Sequence, residues 1–479
     1  MSTRLSWTVA IAIAIVAAVA SGLAPASAIL IFTLVAFVAA SVLSPGFALG
    51  SVVISALVMS GLQTAVALPN QASLLTRAFI AVFALSTLLR LRRGMRVVVN
   101  LSAIALWAGL LAISTAVAVS DRLLALQGMW TYLCGPVVFL AILYSDLCAS
   151  TLEKVSLAVL GIVVVELPLV LYQGAFLESE SDRIGGTFGR IGGTSVLAIV
   201  MGFAWTAAIA LLTGRRRVWL LPVAAAIAVV LFASEAKAGF LFCAIGTVAV
   251  GVATGILTRR FATVSLRYLA VAAGAVAALY AGYAYAGSVL RGGARGALNL
   301  LQSMSTQGAI VRYLFSHGPQ GQAGRLEGVR LALTAGRSTV VDNLLGKGPG
   351  LLSSSTLLGG TSAFLASTGA TFDWATSLTR SILETGILGT LLYVAVVVSA
   401  VWTVSASWKR LGEVGTRVIA LCVGLATVYL VAGVYAPAWH ADAVAVVFWC
   451  AMGVVAKWGQ IRSAAIVPSP IGSPTASVG

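Results

Sequence analysis

Two arginines and a crowd of glycines stand together in DRIGGTFGRIGGTS, residues 182–195, where RIGGT is written twice, seven residues apart. A guanidinium is a planar fork that matches a pair of phosphate oxygens, and glycine lets backbone approach an anion closely. Arg183 and Arg190 therefore read as contacts for a diphosphate. The alternative is a solvated loop in which they pair with Glu178, Glu180 and Asp182.

Further cations follow. Lys237, in SEAKAG (234–239), starts an apolar run, where it can meet a diphosphate as a point charge, snorkel, or pair with Glu235. Arg325, Arg330 and Arg337 precede or flank the glycine-rich DNLLGKGPG (342–350), and His317 lies just before them in RYLFSHGPQG. FDWATSLTRSILETGILG (372–389) carries Asp373, Arg380 and Glu384 into the next apolar run. Arg380 and Glu384 are four apart, share a helix face and can pair. An ionisable group at that depth is costly, which makes Glu384 a candidate acid or base; a structural ion pair is the alternative. Glu166 is a second acid inside an apolar run.

The chain carries neither HExxH nor a Walker A loop nor a CxxC pair, and ESESD (178–182) is only a weak metal motif. Neither metal nor cofactor is expected, so arginine and lysine would have to handle a diphosphate. Of the five cysteines, Cys134, Cys243, Cys422 and Cys450 lie in apolar runs and Cys148 just past one, which argues against a disulfide framework.

The elements that must position these residues are membrane helices. The 479 residues are 60% hydrophobic and only 9% charged, with a mean hydropathy of +1.03; a soluble domain carries about 25% charged residues. Apolar runs near 8–24, 27–44, 47–67, 76–91, 97–119, 123–145, 155–174, 194–213, 218–234, 237–257, 268–290, 380–402, 417–436 and 441–457 are each of spanning length. The fold class expected is thus an all-α polytopic membrane protein of about fourteen spans. Eleven spans fill 1–290, a large extracytoplasmic loop 291–379 and three spans 380–457, before a disordered tail over 458–479.

The net charge of +16 is concentrated in short loops rather than in a tail, which excludes nucleic acid as partner. Arg90/Arg92/Arg93/Arg96, Arg215/Arg216/Arg217, Arg259/Arg260/Arg267, Lys409/Arg410/Arg417 and Lys457/Arg462 all fall on the side of the N-terminus. The positive-inside rule makes that side the cytoplasm, so both termini are cytoplasmic and the loops 175–193 and 291–379 face outward. A cleaved signal peptide ending near Ala26-Ser27-Ala28 is the alternative reading of the first span. Within the large loop, 321–340 reads as an amphipathic helix with Leu326, Val329 and Leu333 on one face and Arg330 and Arg337 on another. The Ser/Thr/Gly-rich stretch 353–372 shows no strong period and is expected to form a mobile lid.

These motifs, in this order, resemble the O-antigen ligase/polymerase superfamily over roughly 180–390. Arg183 with GGTFG (185–189) resembles the family's Arg-x-x-Gly-Thr-Phe-Gly segment, and SEAKAG its Ser-Arg-Gly hairpin. Gly324-Arg325 through LLGKGPG resembles the long-loop pattern, and TSLTRSILETGILG the closing Leu-x-Glu-x-Gly-x-x-Gly. Three positions depart from the family. Arg190-Ile191-Gly192 replace Asn-Pro-Asn, Lys237 replaces an arginine, and Ala375-Thr376 occupy the positions where ligases carry His-Asn. The last departure tilts the resemblance toward the polymerase branch.

The resemblance implies a type C-like glycosyltransferase of the cell membrane that joins polyprenyl-diphosphate-linked glycans on the outer face, by inverting and metal-independent transfer. Donor and acceptor would both be lipid-linked glycans, with a chain-length regulator and a flippase as candidate partners in the bilayer. Arg183, Arg190, Lys237, Arg325 and Arg330 would bind the diphosphate, with Arg380 as a further contact. Asp373 is the first choice of base, followed by Glu384 and His317. A ligase that moves finished glycan to another acceptor is the competing enzyme. A flippase or transporter is the non-enzymatic alternative, although the inverted repeats typical of transporters are not evident in the sequence.

Overall fold

The computed structural model describes residues 44–65, 72–91, 101–117, 122–176, 193–211, 237–260, 324–334, 339–355, 360–372, 375–440 and 442–466, with short stretches inside 218–228 and 263–277. The main helices before the large loop are α1 (Pro45–Ala65), α2 (Ala72–Leu89), α3 (Leu101–Ala116), α4 (Arg122–Tyr144), α5 (Ala149–Phe176), α6 (Gly193–Leu211) and α7 (Lys237–Thr258). Within the loop come α8 (Arg325–Thr334), α9 (Val340–Leu345) and α10 (Ala363–Thr368). After it come α11 (Ser377–Trp408), α12 (Gly412–Tyr435) and α13 (Asp442–Ile466). Among the described residues the only sheet is a two-residue ladder, β1 (Ser354–Ser355) against β2 (Gly360–Thr361).

This is a helical membrane protein. Five stretches among the described residues are long and apolar enough to cross a bilayer. One of them, Ser377–Tyr435, is a hairpin: a 3-10 turn at Lys409–Leu411 and Gly412 at φ 59° reverse the chain between α11 and α12. The Tyr393 and Tyr429 hydroxyls, one on each arm, meet at 2.7 Å.

The core forms around α13, which packs on α1, α4, α6 and α11 and buries most of its length. Hydrophobicity does not separate helix from lipid tail, so contact rests on shape and on internal hydrogen bonds. Trp449 illustrates the first, filling a notch at Gly135 where a Cβ would lie 2.1 Å from the indole. Trp408 illustrates the second, donating its Nε1–H to the Val455 carbonyl at 2.8 Å. Tyr429 and Phe448 stack at 3.9 Å between centroids.

The helices alternate, so each end of the bundle has its own chemistry. Arg77 near the start of α2, the starts of α4, α11 and α13, and the ends of α3 and α12 converge at the end where residues 325–353 sit. The other end collects Arg90, Arg259, Arg260, Lys409 and Arg410 at helix termini or in turns, together with Arg417 in the second turn of α12 and Lys457 and Arg462 within the C-terminal part of α13. There Lys457 donates to the Leu143 carbonyl at 2.9 Å and Ser463 to the Ser407 carbonyl at 2.7 Å.

Three expectations change. The helix expected over 321–340 is shorter, Arg325–Thr334, and it buries Glu327, Gly328 and Ala332, while Leu333 is 42% exposed. The helix docks on α11 with Gly328 against the Thr379 side chain; of the expected stripe, Val329 packs on the second apolar core while Leu333 points away from it. The stretch 353–372 holds the small ladder, α10 and a 3-10 turn, and Leu351, Leu352 and Phe372 pack with Ala332, Ile382 and Leu383 in a second apolar core. Finally, α13 runs nine residues into the expected tail, to Ile466, with Trp458 buried and Arg462 over its ring at 5.2 Å.

Cys148 stands exposed at the basic end, just before α5. Contacts with Ser150 Oγ at 3.2 Å and Thr151 Oγ1 at 3.1 Å lower its thiol pKa to about 7, the Ser150 bond acting most. The thiolate is the nucleophile, so maleimide labelling at Cys148 should climb about tenfold per unit below pH 7 and level off above about pH 8. Ser150→Ala should move that midpoint upward. A labelling rate still climbing at about pH 9 would contradict the assigned contacts.

Candidate functional site

The site is built on a fault in α11. At Gly386 the backbone turns to φ 73°, ψ −177°, which interrupts the helix nearly two turns after Arg380. Broken helices leave carbonyls without partners, and inside a bilayer only protein can satisfy them. Here the loop after α9 does so: Lys347 N–H donates to the Leu383 carbonyl at 2.9 Å and Gly348 N–H to the Glu384 carbonyl at 3.0 Å. From α3, Ser114 Oγ–H is shared between the carbonyls of Leu345 at 3.0 Å and Glu384 at 3.2 Å.

The glycines in both segments are needed for that fit. Gly346 and Gly386 both have positive φ, and a Cβ on either would lie within 2.5 Å of the other segment's backbone. On the far side of the loop, Gly350 packs against Leu124 and Gly128 of α4, backbone to backbone. LLGKGPG is therefore held between α4 and α11, and two motifs 32 residues apart in register (Leu352 and Glu384) become one structure.

Side chains complete the clamp. Glu384 is fully buried; its Oε1 accepts from Leu352 N–H at 3.0 Å and from Arg380 Nε at 3.2 Å. Arg380 reaches on to Ser353 Oγ at 2.7 Å. The expected pairing of Arg380 with Glu384 is thus present, and both residues also hold the loop. Thr376 caps α11 by accepting from Thr379 N–H at 3.2 Å.

Beside the pair lies a cluster that motif reading missed. Ser377 Oγ accepts from Trp439 N–H at 2.8 Å and sits 3.2 Å from His440 Nδ1. The His440 ring meets Tyr132 edge-on at 4.6 Å, and the Tyr132 hydroxyl faces Glu384 and Ser381 without closing a well-aligned hydrogen bond. Burial, reinforced by the guanidiniums of Arg380 and Arg77, holds the His440 pKa well below the ordinary histidine value, so the imidazole is neutral at physiological pH. Arg77, Tyr132 and His440 each sit within or beside an apolar run at this end of the bundle. That combination of type and depth was the only sequence signal for them.

Of the other expected site residues, Arg325 begins α8 with its guanidinium over the Tyr435 ring at 5.4 Å, near the α11 start. Arg330 turns outward and forks onto Glu327 of its own helix at 2.7 and 2.5 Å. Lys347 joins this end, its ammonium over the Phe364 ring at 5.4 Å. Lys237 is the first residue of α7, and its side chain lies outside the described residues. Arg183, Arg190, His317 and Asp373 lie outside them as well. The structure therefore brings Arg325, Arg380 and Glu384 to one end and leaves Arg330 ion-paired there.

No family model matches the chain, and no curated protein matches it in sequence.

Two variants test the clamp. Gly386→Ala should cost about 2–4 kcal/mol through φ strain and collision with Leu344. Gly109→Ala, in the open on α3, should be neutral or gain up to about 1 kcal/mol. Thermal unfolding in detergent compares them, and equal shifts would count against the fit. Arg380→Ala strands a buried carboxylate and should cost about 3–5 kcal/mol, part of it recovered when Glu384→Ala is added. Strict additivity in that cycle would mean that the pair does not interact.

Proposed function

We propose that this protein is a membrane glycosyltransferase that polymerises polyprenyl-diphosphate-linked repeat units into a surface polysaccharide. The observation that carries the reading is the docking of LLGKGPG onto LETGILG beside Arg325 and Arg380. These are two of the four motifs in which the sequence resembles the O-antigen ligase/polymerase superfamily. In this reading the chain has fourteen spans, its basic end faces the cytoplasm with both termini, and the site end faces outward.

The chemistry follows from the charges. An acceptor hydroxyl oxygen attacks the anomeric carbon while its proton passes to a base, and the bond from that carbon to the diphosphate oxygen breaks on the opposite face. Configuration inverts, and polyprenyl diphosphate leaves with added negative charge. Preorganised cations favour that charge, and Arg183, Arg190, Lys237, Arg325 and Arg330 are the proposed contacts, with Arg380 behind them. Asp373 is the proposed base, with His317 as second choice. Glu384, tied to Arg380 and Leu352, serves to position the loop.

One observation favours polymerase over ligase. The two positions that carry His-Asn in ligases are Ala375 and Thr376, and Thr376 is committed to capping α11.

The experiment is the size distribution of surface and carrier-linked glycan in a strain lacking the gene. Polymerase activity predicts single repeat units accumulating on the lipid carrier and a loss of long chains. Long chains stranded on the carrier would mean a ligase, and unchanged glycan would remove both. Arg183→Ala and Arg325→Ala should each reduce chain synthesis by an order of magnitude or more, on the scale of losing one electrostatic contact to the leaving group. Full synthesis by both variants would overturn the diphosphate assignment.

A further inference from the structure

The short helix α9 presents its apolar residues outward. Val340 is 73% exposed, Val341 58% and Leu344 46%, a dense apolar surface for a segment of six residues that the sequence places in an extracytoplasmic loop. In water such a patch would be unfavourable and prone to association.

Its depth changes the picture. The loop leaving α9 docks on α11 at Leu383–Gly386, not at the start of that helix. Ser377 to Glu384 is seven residues, or about 10 Å of helix at 1.5 Å per residue. The same junction is pinned to α3 by Ser114, two residues from the end of that helix. Exposed apolar residues stand on both helices of the junction: Leu106, Ile113 and Val117 at α3, and Ile387, Leu388 and Leu391 on α11. The exposed apolar residues of α9 stand just before the segment that joins these two helices.

We infer that α9 is seated in the hydrocarbon edge of the bilayer, with Val340, Val341 and Leu344 against lipid chains. The loop is then anchored in the membrane from the side instead of standing over it in water. Asp342 and Asn343 are only partly exposed, and the helix N-terminus is closed locally, Thr339 Oγ1 accepting from Asp342 N–H at 3.1 Å. That bond satisfies one backbone donor, and the partly exposed Asp342 and Asn343 side chains require the headgroup side of the helix. The seating would also hold the Gly346–Gly350 segment and Lys347 at the depth where lipid headgroups end and chains begin. The inference stands whether or not the glycosyltransferase reading holds, because it rests on exposure and depth alone.

Spin labels test it in the full-length protein in lipid nanodiscs. Val340→Cys, Val341→Cys and Leu344→Cys are made in a background where the exposed Cys148 and Cys243 are serine. Leu391→Cys is the lipid-facing control and Arg330→Cys the water-facing one. Collisions with oxygen, which concentrates in lipid, are compared with collisions with a water-soluble nickel chelate. The expected result is an oxygen-to-nickel ratio at 340, 341 and 344 several-fold above that at 330 and close to that at 391. A nickel-dominated ratio like that at 330 would place α9 in water and overturn the inference. Low collision rates with both reagents would mean that protein covers this face, another chain or a second copy, and would overturn it equally. Three independent label sites keep the test decisive if one variant fails to fold.

Discussion

The interaction on which this end of the molecule depends is the capture of two carbonyls, those of Leu383 and Glu384, by the amides of Lys347 and Gly348. A helix inside a bilayer satisfies its own backbone, and a break in it leaves polar groups that no lipid can pair. The break at Gly386 is therefore stable only with the loop in place. The loop, in turn, keeps its shape only against α11 on one side and α4 on the other. Once that contact exists, the remaining geometry follows. Leu352 is delivered to the Glu384 carboxylate, Ser353 to Arg380, and the second apolar core closes beneath α8.

The buried ion pair makes sense within that frame. Two charges removed from water gain little from each other unless their remaining hydrogen-bonding capacity is also used. Glu384 spends Oε1 on a backbone amide and a guanidinium, and Arg380 spends its far nitrogen on Ser353, while Glu384 Oε2 is buried with no hydrogen-bond partner among the described residues, so the pair's capacity is used only in part. A hydrophobic pair of similar size would fill the space but would not fix the loop's position to a single register. Burial, and after it the charges of Arg380 and Arg77, keeps His440 neutral, since protonation would add a third positive charge to the same buried region.

Much of this was legible residue by residue, and the failures have physical causes. The pairing of Arg380 with Glu384 was readable because both lie on one helix, where spacing sets distance. The start of α7 at Lys237 was readable because the apolar run begins there. The buried face of α8 was legible only in part: Val329 of the expected stripe packs on the second core, but the centre of the contact is Gly328, where a small residue allows close approach to Thr379, and Leu333 is left exposed. The length of α13 was underestimated because Lys457 and Arg462 look like a span's end. Yet Lys457 reaches back to the Leu143 carbonyl and Arg462 lies over Trp458, so the helix continues past its charges.

The sequence by itself determined that this chain folds as membrane helices, where its charge accumulates, and that the glycines of LLGKGPG break a helix, although the break at Gly386 inside the span expected over 380–402 was not foreseen. Those are properties of composition and local spacing, and a helix or a loop inherits them directly. Only the tertiary structure decided that Gly346 faces Gly386, that Ser114 of α3 closes the same junction, and that Arg77, Tyr132 and His440 gather around Arg380. Such meetings join residues as far apart in the chain as Tyr132 and His440. They are set by which helices pack together and at what height, and no pattern within either segment encodes that.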